Sequence, residues 1–355
     1  MPELPQVPGA RTHRVRVTAV VAETADARSF VLDPADGALA YRPGQFLTLR
    51  LPGPDGGVAA RCYSLASSPH SGEPMKITVK RVAGGHGSNW LCDHIGEGDE
   101  LEVLAPAGTF GSGPLDGDLL LAAAGSGVTP VISLAKAALA QGQGRVVLLY
   151  ANRDANSVIF RDELRNLAGD HPQRLVVLHW LETLDGLPTV DRLTGLLDPY
   201  AGHHAYLCGP APFMDAVDAA LRAAGAAPAA IHRERFFSLS GDVFRTVPAR
   251  PAGEPAGEPA GPEGEGAEAV VELDGETHRV AWGATTPLLD ALLAAGVDAP
   301  YSCREGACAA CACRVIEGEV SVAHDDVLDD EDRAEGYILA CQALPASERI
   351  SISYS

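Results

Sequence analysis

The spacing of apolar and polar residues changes character twice along the chain. From His13 to about Phe110, apolar residues fall in short β-rich runs: Val15–Val21, Ser29–Leu32, Phe46–Leu51, Cys62–Leu65, Ile77–Val82 and Glu100–Leu104. Turn formers such as Pro43-Gly44 and Pro52-Gly53-Pro54-Asp55-Gly56-Gly57 punctuate them. This rhythm predicts antiparallel strands closed into a small β-barrel. From Asp118, strand-length apolar runs alternate with helical periodicity. Leu119–Ala124, Val146–Tyr150, Leu175–Trp180, Ala205–Cys208 and Ile231–Glu234 read as strands, and Val131–Ala140, Val158–Leu167, Val190–Leu197 and Pro212–Ala224 read as helices. Such α/β alternation predicts a doubly wound parallel sheet that binds its ligand at the C-terminal strand ends. Beyond Val270 the pattern changes again, to a hairpin (Val270–Leu273, Asp274-Gly275, Thr277–Ala281), a helix over Pro287–Ala295, and late strands at Ile338–Cys341 and Ile350–Ser353.

Between the second and third patterns lies a repeat of Ala-Gly-Glu-Pro, with no apolar face to bury, read as a disordered or polyproline-like tether. A coil of about 20 residues spans roughly 25 Å on average. The chain of 355 residues therefore divides into an N-terminal arm (1–11), a barrel domain (12–115), an α/β domain (116–247), a linker (248–268) and a C-terminal domain (269–355). It is a multidomain protein.

Composition narrows the classes. With 46% hydrophobic and 21% charged residues and no apolar run of membrane-spanning length, the chain reads as soluble rather than membrane-embedded. The N-terminus lacks the basic start and apolar core of a signal peptide, which points to the cytoplasm. In a reducing compartment, eight cysteines are thiols or metal ligands. A net charge of −20 argues against nucleic acid and suits a basic protein partner.

The densest chemistry is Tyr301-Ser-Cys-Arg-Glu-Gly-Ala-Cys-Ala-Ala-Cys311, with Cys341 further on. Cys303, Cys308 and Cys311 form a C-x4-C-x2-C array, the plant-type [2Fe–2S] spacing. The small residues Gly306, Ala307, Ala309 and Ala310 let backbone N–H groups approach the sulfurs. A structural zinc site and a disulfide set are the alternatives.

In the barrel, Arg61-Cys-Tyr-Ser64 on a strand puts Arg61 and Tyr63 on one face and Ser64 on the other, a cation and a ring against a hydroxyl. Gly84-Gly-His-Gly-Ser-Asn-Trp-Leu91 is a glycine-rich turn entering a helix, with Ser88 as candidate N-cap. A turn of this kind aims free N–H groups at a pyrophosphate. In the α/β domain, Gly125-Ser-Gly-Val-Thr-Pro130 follows the first strand: Gly125 and Gly127 permit close backbone approach, and Thr129 with Pro130 suits a helix start beside a phosphate. Cys208-Gly-Pro-Ala-Pro212 ends a later strand with a small thiol and a stiffened turn.

The order of these pieces resembles the ferredoxin–NAD(P)H reductase superfamily carrying a C-terminal plant-type ferredoxin domain. Tyr150-Ala-Asn-Arg-Asp-Ala-Asn-Ser-Val-Ile-Phe160, His179-Trp-Leu-Glu182 and Glu335-Gly-Tyr-Ile-Leu-Ala-Cys-Gln342 extend the likeness, which is to the reductase components of bacterial 3-ketosteroid 9α-hydroxylases. The resemblance implies a flavin barrel, a nicotinamide-binding parallel sheet and a β-grasp ferredoxin domain. It implies FAD on Arg61, Tyr63, Ser64, Thr78, Val79, Lys80, Gly87 and Ser88. It implies a nicotinamide dinucleotide on Gly125, Gly127, Thr129, Pro130, Cys208, Gly209 and Pro210. Glu234 and Phe236 fall near the flavin in relatives, although the doubled aromatic leaves Phe237 as a second candidate for packing. Ser64, Cys208 and Glu234 are the expected catalytic residues. Cys303, Cys308, Cys311 and Cys341 are the expected iron ligands. NADH is the expected donor, because His179-Trp-Leu-Glu-Thr-Leu-Asp185 offers no fixed cation for a 2′-phosphate, with Arg153 keeping NADPH open. The implied activity splits the two electrons of NADH into single ones, passed through FAD and the [2Fe–2S] cluster to a terminal oxygenase, expected to be Rieske-type. The same chemistry serving a diiron oxygenase or a P450, a stand-alone NADH oxidase or quinone reductase, and a nucleotide-binding protein with a zinc module are the alternatives. The acidic stretch Asp325-Asp326 and Asp329-Asp-Glu-Asp332 is a candidate steering patch for a basic acceptor.

Overall fold

A computed structural model describes the chain from Thr12 to Tyr354 except positions 36, 38, 55, 237, 238, 240–242, 245–265, 274, 326 and 329. The N-terminal arm, most of the linker repeat, Phe237, Asp274, Asp326 and Asp329 thus lie outside the described residues. The chain forms two compact units, one of His13–Gly57 with Arg61–Ser238, the other of Leu239–Ser355 with Val58–Ala60.

The first pattern builds strands β1 (Thr12–Thr24), β2 (Ala27–Pro34), β3 (Phe46–Pro52), β4 (Val58–Ser64) and β5 (Met75–Lys80), then helix α1 (His86–His94) and β6 (Glu100–Leu104). Their sheet runs β4-β3-β6-β1-β2-β5, and a bridge from Leu65 to Ile77 joins its two ends, closing the barrel. Val15, Val17, Phe30, Leu47, Leu49, Ile77 and Val79 fill the interior, the alternate positions that the strand period selects.

Next come β7 (Leu119–Ala124), α2 (Val128–Gln141), β8 (Val146–Asn152), α3 (Arg161–Asp170), β9 (Leu175–Leu181), the single turn α4 (Glu182–Asp185), α5 (Val190–Leu197), β10 (His204–Cys208), α6 (Ala211–Ala223) and β11 (Ile231–Glu234). The sheet is parallel with order β11-β10-β7-β8-β9. Leu119, Leu121 and Ala123 pack into the core that includes α2 and α3, while Leu120 and Ala122 pack into the core that includes α5 and α6. One strand with apolar residues on both faces demands helices on both faces, so the doubly wound architecture follows.

Two local expectations are corrected. Ser88 is not an N-cap: α1 begins at His86 after Gly85, and Ser88 lies inside the first turn, its hydroxyl accepting from the Val82 N–H at 3.1 Å. The helix expected from Val158 begins at Arg161, because Phe160 adopts a left-handed backbone (φ 60°) and Val158, Ile159 and Phe160 are buried in an irregular stretch before it. Asp154 instead caps a 3-10 turn over Ala155–Ser157.

Charge as well as apolar packing ties the barrel to the parallel sheet. Glu73 and Lys76, from the barrel side, meet Lys136 of α2 and Glu163 of α3. Lys136 contacts Glu73 at 2.9 Å, Lys76 contacts Glu163 at 2.8 Å, and Lys136 also pairs with Glu163. Lys136 is 6% exposed, and its ammonium also donates to the Ala66 carbonyl. Glu23 adds a second tie, accepting from Ser29 of the barrel and from the Phe160 N–H.

The other unit contains β12 (Ala267–Leu273), β13 (Glu276–Trp282), α7 (Leu288–Ala294), β14 (Ala312–Glu317), β15 (Val320–Val322), α8 (Asp330–Ala334), β16 (Tyr337–Leu339), β17 (Ala343–Pro345) and β18 (Arg349–Ser353). Its main sheet has the order β13-β12-β18-β14-β16, with β12 and β18 parallel at the centre. Leu288, Leu289 and Leu292 of α7 pack in one core with Val271, Trp282, Ile350 and Ile352 of the sheet, a β-grasp arrangement. Strand β12 starts at Ala267, so the last two residues of the 248–268 stretch belong to the sheet.

Candidate functional sites: a dinucleotide cleft and a four-cysteine loop

The turns after β7 and β10 define the first site. A Cβ on Gly127 would lie 2.1 Å from the Cys208 carbonyl oxygen, and one on Gly209 would lie 3.0 Å from the Ala124 Cβ. The two turns therefore pack directly on each other, and glycine is required at Gly127 by this neighbour. Gly125 has φ 54°, and Tyr150 holds the turn from β8 by donating to the Gly125 carbonyl at 3.1 Å. Thr129 and Pro130 are buried in the first turn of α2, and the Thr129 hydroxyl donates to the Ser126 carbonyl at 2.9 Å. Thr129 thus shapes the turn, leaving ligand contact to the backbone.

Beside these turns opens a cleft of about 820 Å³, lined by Lys80, Gly125, Gly127, Gly209, Pro210 and Phe236 among others. That volume suits a dinucleotide-sized ligand. Its far end holds the stretch expected to meet the 2′ position: Trp180 near the end of β9 and Glu182 just after it line the same cleft, as does Arg153, and Leu187, Pro188, Asn152 and Arg235, which the sequence did not single out, line it too. The Trp180 indole N–H donates to the Gly186 carbonyl at 2.8 Å, and the Arg192 guanidinium lies 4.4 Å over the ring. One face of this ring is thus fixed from behind.

A smaller pocket brings Ser64 together with Glu234, Phe236, Phe46, Cys62 and Arg235. Ser64 and Cys62 share a strand face, as alternation requires. Glu234 is the ladder neighbour of Cys208, paired across the parallel strands. Burial pushes the Glu234 carboxyl up to about 8, and burial followed by the nearby Glu234 charge pushes the Cys208 thiol well up as well. Both groups are held neutral at pH 7. Arg61 and Tyr63 occupy the opposite strand face and meet at Gly87, where a Cβ would lie 2.8 Å from the Arg61 Cγ and 3.4 Å from the Tyr63 hydroxyl. Burial drives the Tyr63 phenol upward. Thr78 and Val79 are buried in the barrel wall, Thr78 sharing a hydrogen bond with Ser29 at 2.7 Å, so these two can offer a cofactor only backbone.

The cysteine loop belongs to the other unit. Arg304, Gly306 and Ala309 have φ of 58°, 75° and 52°, a run of left-handed residues that curls the loop. The N–H groups of Glu305 and Ala307 donate to the Cys303 sulfur at 3.3 Å, and those of Cys303 and Ala310 donate to Cys308 at 3.4 Å. Hydrogen bonds from Cys308 and then Cys341 pull the Cys303 thiol far down, and Cys311 is also within hydrogen-bonding reach of Cys341. All four cysteines are buried. Four converging sulfurs with backbone donors aimed at them fit a thiolate-bound inorganic core. Among the described residues, no group of three or more His, Cys, Asp or Glu meets the geometry of a site for one metal ion. A [2Fe–2S] core spreads its four thiolates over two irons. Arg304 secures the loop to α7 through Asp290 at 2.6 Å.

Barrel, glycine-turned parallel sheet and cysteine-bearing β-grasp together define an oxidoreductase that binds flavin, a nicotinamide dinucleotide and a [2Fe–2S] cluster. Comparison with known families agrees domain by domain: residues 13–111 match the oxidoreductase FAD-binding domain, 121–219 the oxidoreductase NAD-binding domain and 271–346 the 2Fe-2S iron-sulfur cluster binding domain. The chain is 52% identical to the ferredoxin reductase component of 3-ketosteroid-9-alpha-monooxygenase from Rhodococcus rhodochrous, over 98% of each chain. It is 49% identical to the corresponding component from Mycobacterium tuberculosis, over 98% of this chain and 97% of the other. Among solved structures, phthalate dioxygenase reductase is similar, with a TM-score of 0.56 and 25% identity over 97% of this chain and 98% of that one. The chain belongs to the family of ferredoxin reductase components of 3-ketosteroid-9-alpha-monooxygenases. Among the described residues no helix is long and apolar enough to cross a membrane.

Proposed function

We propose that this chain is the NADH-dependent reductase of a steroid 9α-hydroxylating system, delivering electrons to a terminal oxygenase of the Rieske type in the cytoplasm. The observation that carries this reading is the 52% identity, spread over 98% of both chains, to a reductase component of that name. When bound, FAD accepts two electrons from the nicotinamide and the [2Fe–2S] cluster passes them on one at a time.

The chain's own residues supply placement and proton control. The Gly125–Gly127 turn and the Gly209-Pro210 turn seat the pyrophosphate and nicotinamide halves. Trp180, fixed by Arg192, forms a floor for the adenosine half. Glu182 follows β9 at this end of the cleft, and its carboxylate disfavours a 2′-phosphate. Arg153 is drawn to Asp154 at 3.4 Å, which weakens its claim on such a phosphate. Ser64 directs its hydroxyl to the flavin edge. Cys208 packs against the nicotinamide, and Glu234 holds a proton beside both. Arg61, Tyr63, Gly87 and Ser88 hold the rest of the flavin, and Cys303, Cys308, Cys311 and Cys341 hold the iron. The working domain limits are 12–115, 116–247 and 267–355, the last starting with strand β12.

The test is an anaerobic visible spectrum of the purified protein, titrated with NADH and then NADPH, followed by turnover with a purified Rieske oxygenase and a 3-ketosteroid. Bleaching of overlapping flavin and iron–sulfur bands by NADH, with oxygenase-dependent consumption of the steroid, is the expected result. Bleaching without transfer to the oxygenase would keep the reductase and discard the partner. A second reading has its own support, since the chain resembles part of a self-sufficient type IV cytochrome P450 monooxygenase with a TM-score of 0.65. Turnover with a P450 in place of the Rieske protein would favour it.

A further inference from the structure

Three cysteines of the four-cysteine site share one loop, and the fourth comes from elsewhere in the chain. Cys341 follows β16 and lies 30 positions beyond Cys311, so something must hold the distant ligand in register with the loop.

The residue beside it is placed to do so. The Gln342 side-chain amide nitrogen lies 3.5 Å from the Cys341 sulfur and 3.3 Å from the Arg304 carbonyl oxygen in the cysteine loop. That nitrogen carries two hydrogens and can donate to both acceptors at once. Its base is pinned on both sides: the Gln342 N–H donates to the Leu339 carbonyl at 2.8 Å, and its carbonyl accepts from the Ala323 N–H at 3.0 Å. The aliphatic stem runs close to Gly306, where a Cβ would lie 3.1 Å from the Gln342 Cγ. Any larger residue at Gly306 would push this stem away. The amide is therefore built into the site.

We propose that Gln342 is a positioning residue for the [2Fe–2S] cluster, clamping the sequence-distant ligand Cys341 to the cysteine loop and raising the cluster's reduction potential. The physical reason is charge. An electron entering the cluster adds negative charge to its sulfurs, and a donor aimed at a thiolate stabilises that added charge more than the oxidised state. The hydrogen bonds to Cys303 and Cys308 come from backbone N–H groups, which substitution cannot remove. The one to Cys341 comes from a side chain, which makes this ligand's environment adjustable by a single residue.

The proposal rests on the loop holding a [2Fe–2S] cluster, and the wild-type iron content and spectrum test that separately. The cluster midpoint is measured by redox titration followed by electron paramagnetic resonance, in wild type, Gln342→Leu and Gln342→Glu. Leucine removes the donor; glutamate keeps the shape but, ionised, can only accept. At a fixed solution potential, the reduced-to-oxidised ratio should fall about tenfold in Gln342→Leu, which is ~59 mV for one electron, and at least as far in Gln342→Glu. The flavin spectrum and the rate of flavin reduction by NADH should stay at wild-type values in both. A wild-type cluster potential in either variant overturns the proposal. Iron loss from both variants, with flavin retained and the wild type fully loaded, supports the clamp.

Discussion

The cysteine loop and the dinucleotide cleft are both shaped by glycine- and alanine-rich backbone turns, but they are assembled differently. In the loop, one stretch of nine residues, Cys303 to Cys311, supplies three sulfurs and the donors that serve them. In the cleft, the turns after β7 and β10 approach from positions more than 80 residues apart, and the end beyond β9 comes from yet another segment. A contiguous site is robust to changes elsewhere and fragile to changes within. A site built from strand ends depends on how closely its turns pack, so its weak points lie at the packing contacts.

The largest effect expected from this contrast comes from Cys303→Ser. Loss of one loop ligand should remove most of the iron while NADH still reduces the flavin at near wild-type rate, read by metal analysis and stopped-flow absorbance. Loss of flavin reduction as well would mean that the two sites are not separable. Next is Gly127→Ala, whose new Cβ would collide with the Cys208 carbonyl at 2.1 Å. Parting the two turns costs about 1–3 kcal/mol of overpacking and should raise the KM for NADH by about tenfold or more while the iron content is unchanged. A wild-type KM would show that the cleft tolerates separation of its turns.

The smallest effect is a pH profile. Because burial raises Glu234 to about 8, the folded protein keeps its proton between the ordinary carboxylate range and pH 8, while the unfolded chain has lost it. Stability therefore falls as pH rises through that window, and the buried carboxyl ionises only above it. Flavin reduction by NADH should step near pH 8 in wild type. In Glu234→Gln, which is permanently neutral, that step should vanish and thermal stability should change less between pH 5 and 8. A step that persists in the variant assigns it to another group.

Legibility in the sequence followed the same divide. The barrel, the parallel sheet and the β-grasp each have a periodicity that residues alone disclose, and the C-x4-C-x2-C spacing needs no tertiary information. The ends of helices were less readable. Ser88 has the chemistry of an N-cap but spends it on Val82, and Val158–Phe160 carry the apolar pattern of a helix yet are held in an irregular stretch by core burial and a left-handed Phe160. The clamp on Trp180 in β9 was invisible because Arg192 reaches it from helix α5. The requirement for glycine at Gly127 was readable, but its cause was not, since the neighbour it must avoid is Cys208, far along the chain.

The four-charge knot of Glu73, Lys76, Lys136 and Glu163 has a consequence for how the reactions respond to salt. Mobile ions screen solvent-exposed charges over about 8–10 Å but reach partly buried ones poorly, and Lys136 is 6% exposed. The registry of barrel and sheet, and with it the first electron step, should hold at ionic strengths that weaken attraction between a chain of charge −20 and a basic acceptor. Ionic strength then acts as a dial on delivery alone, and a reductase filling with electrons while its outlet closes is what a salt series of flavin reduction beside oxygenase turnover would display.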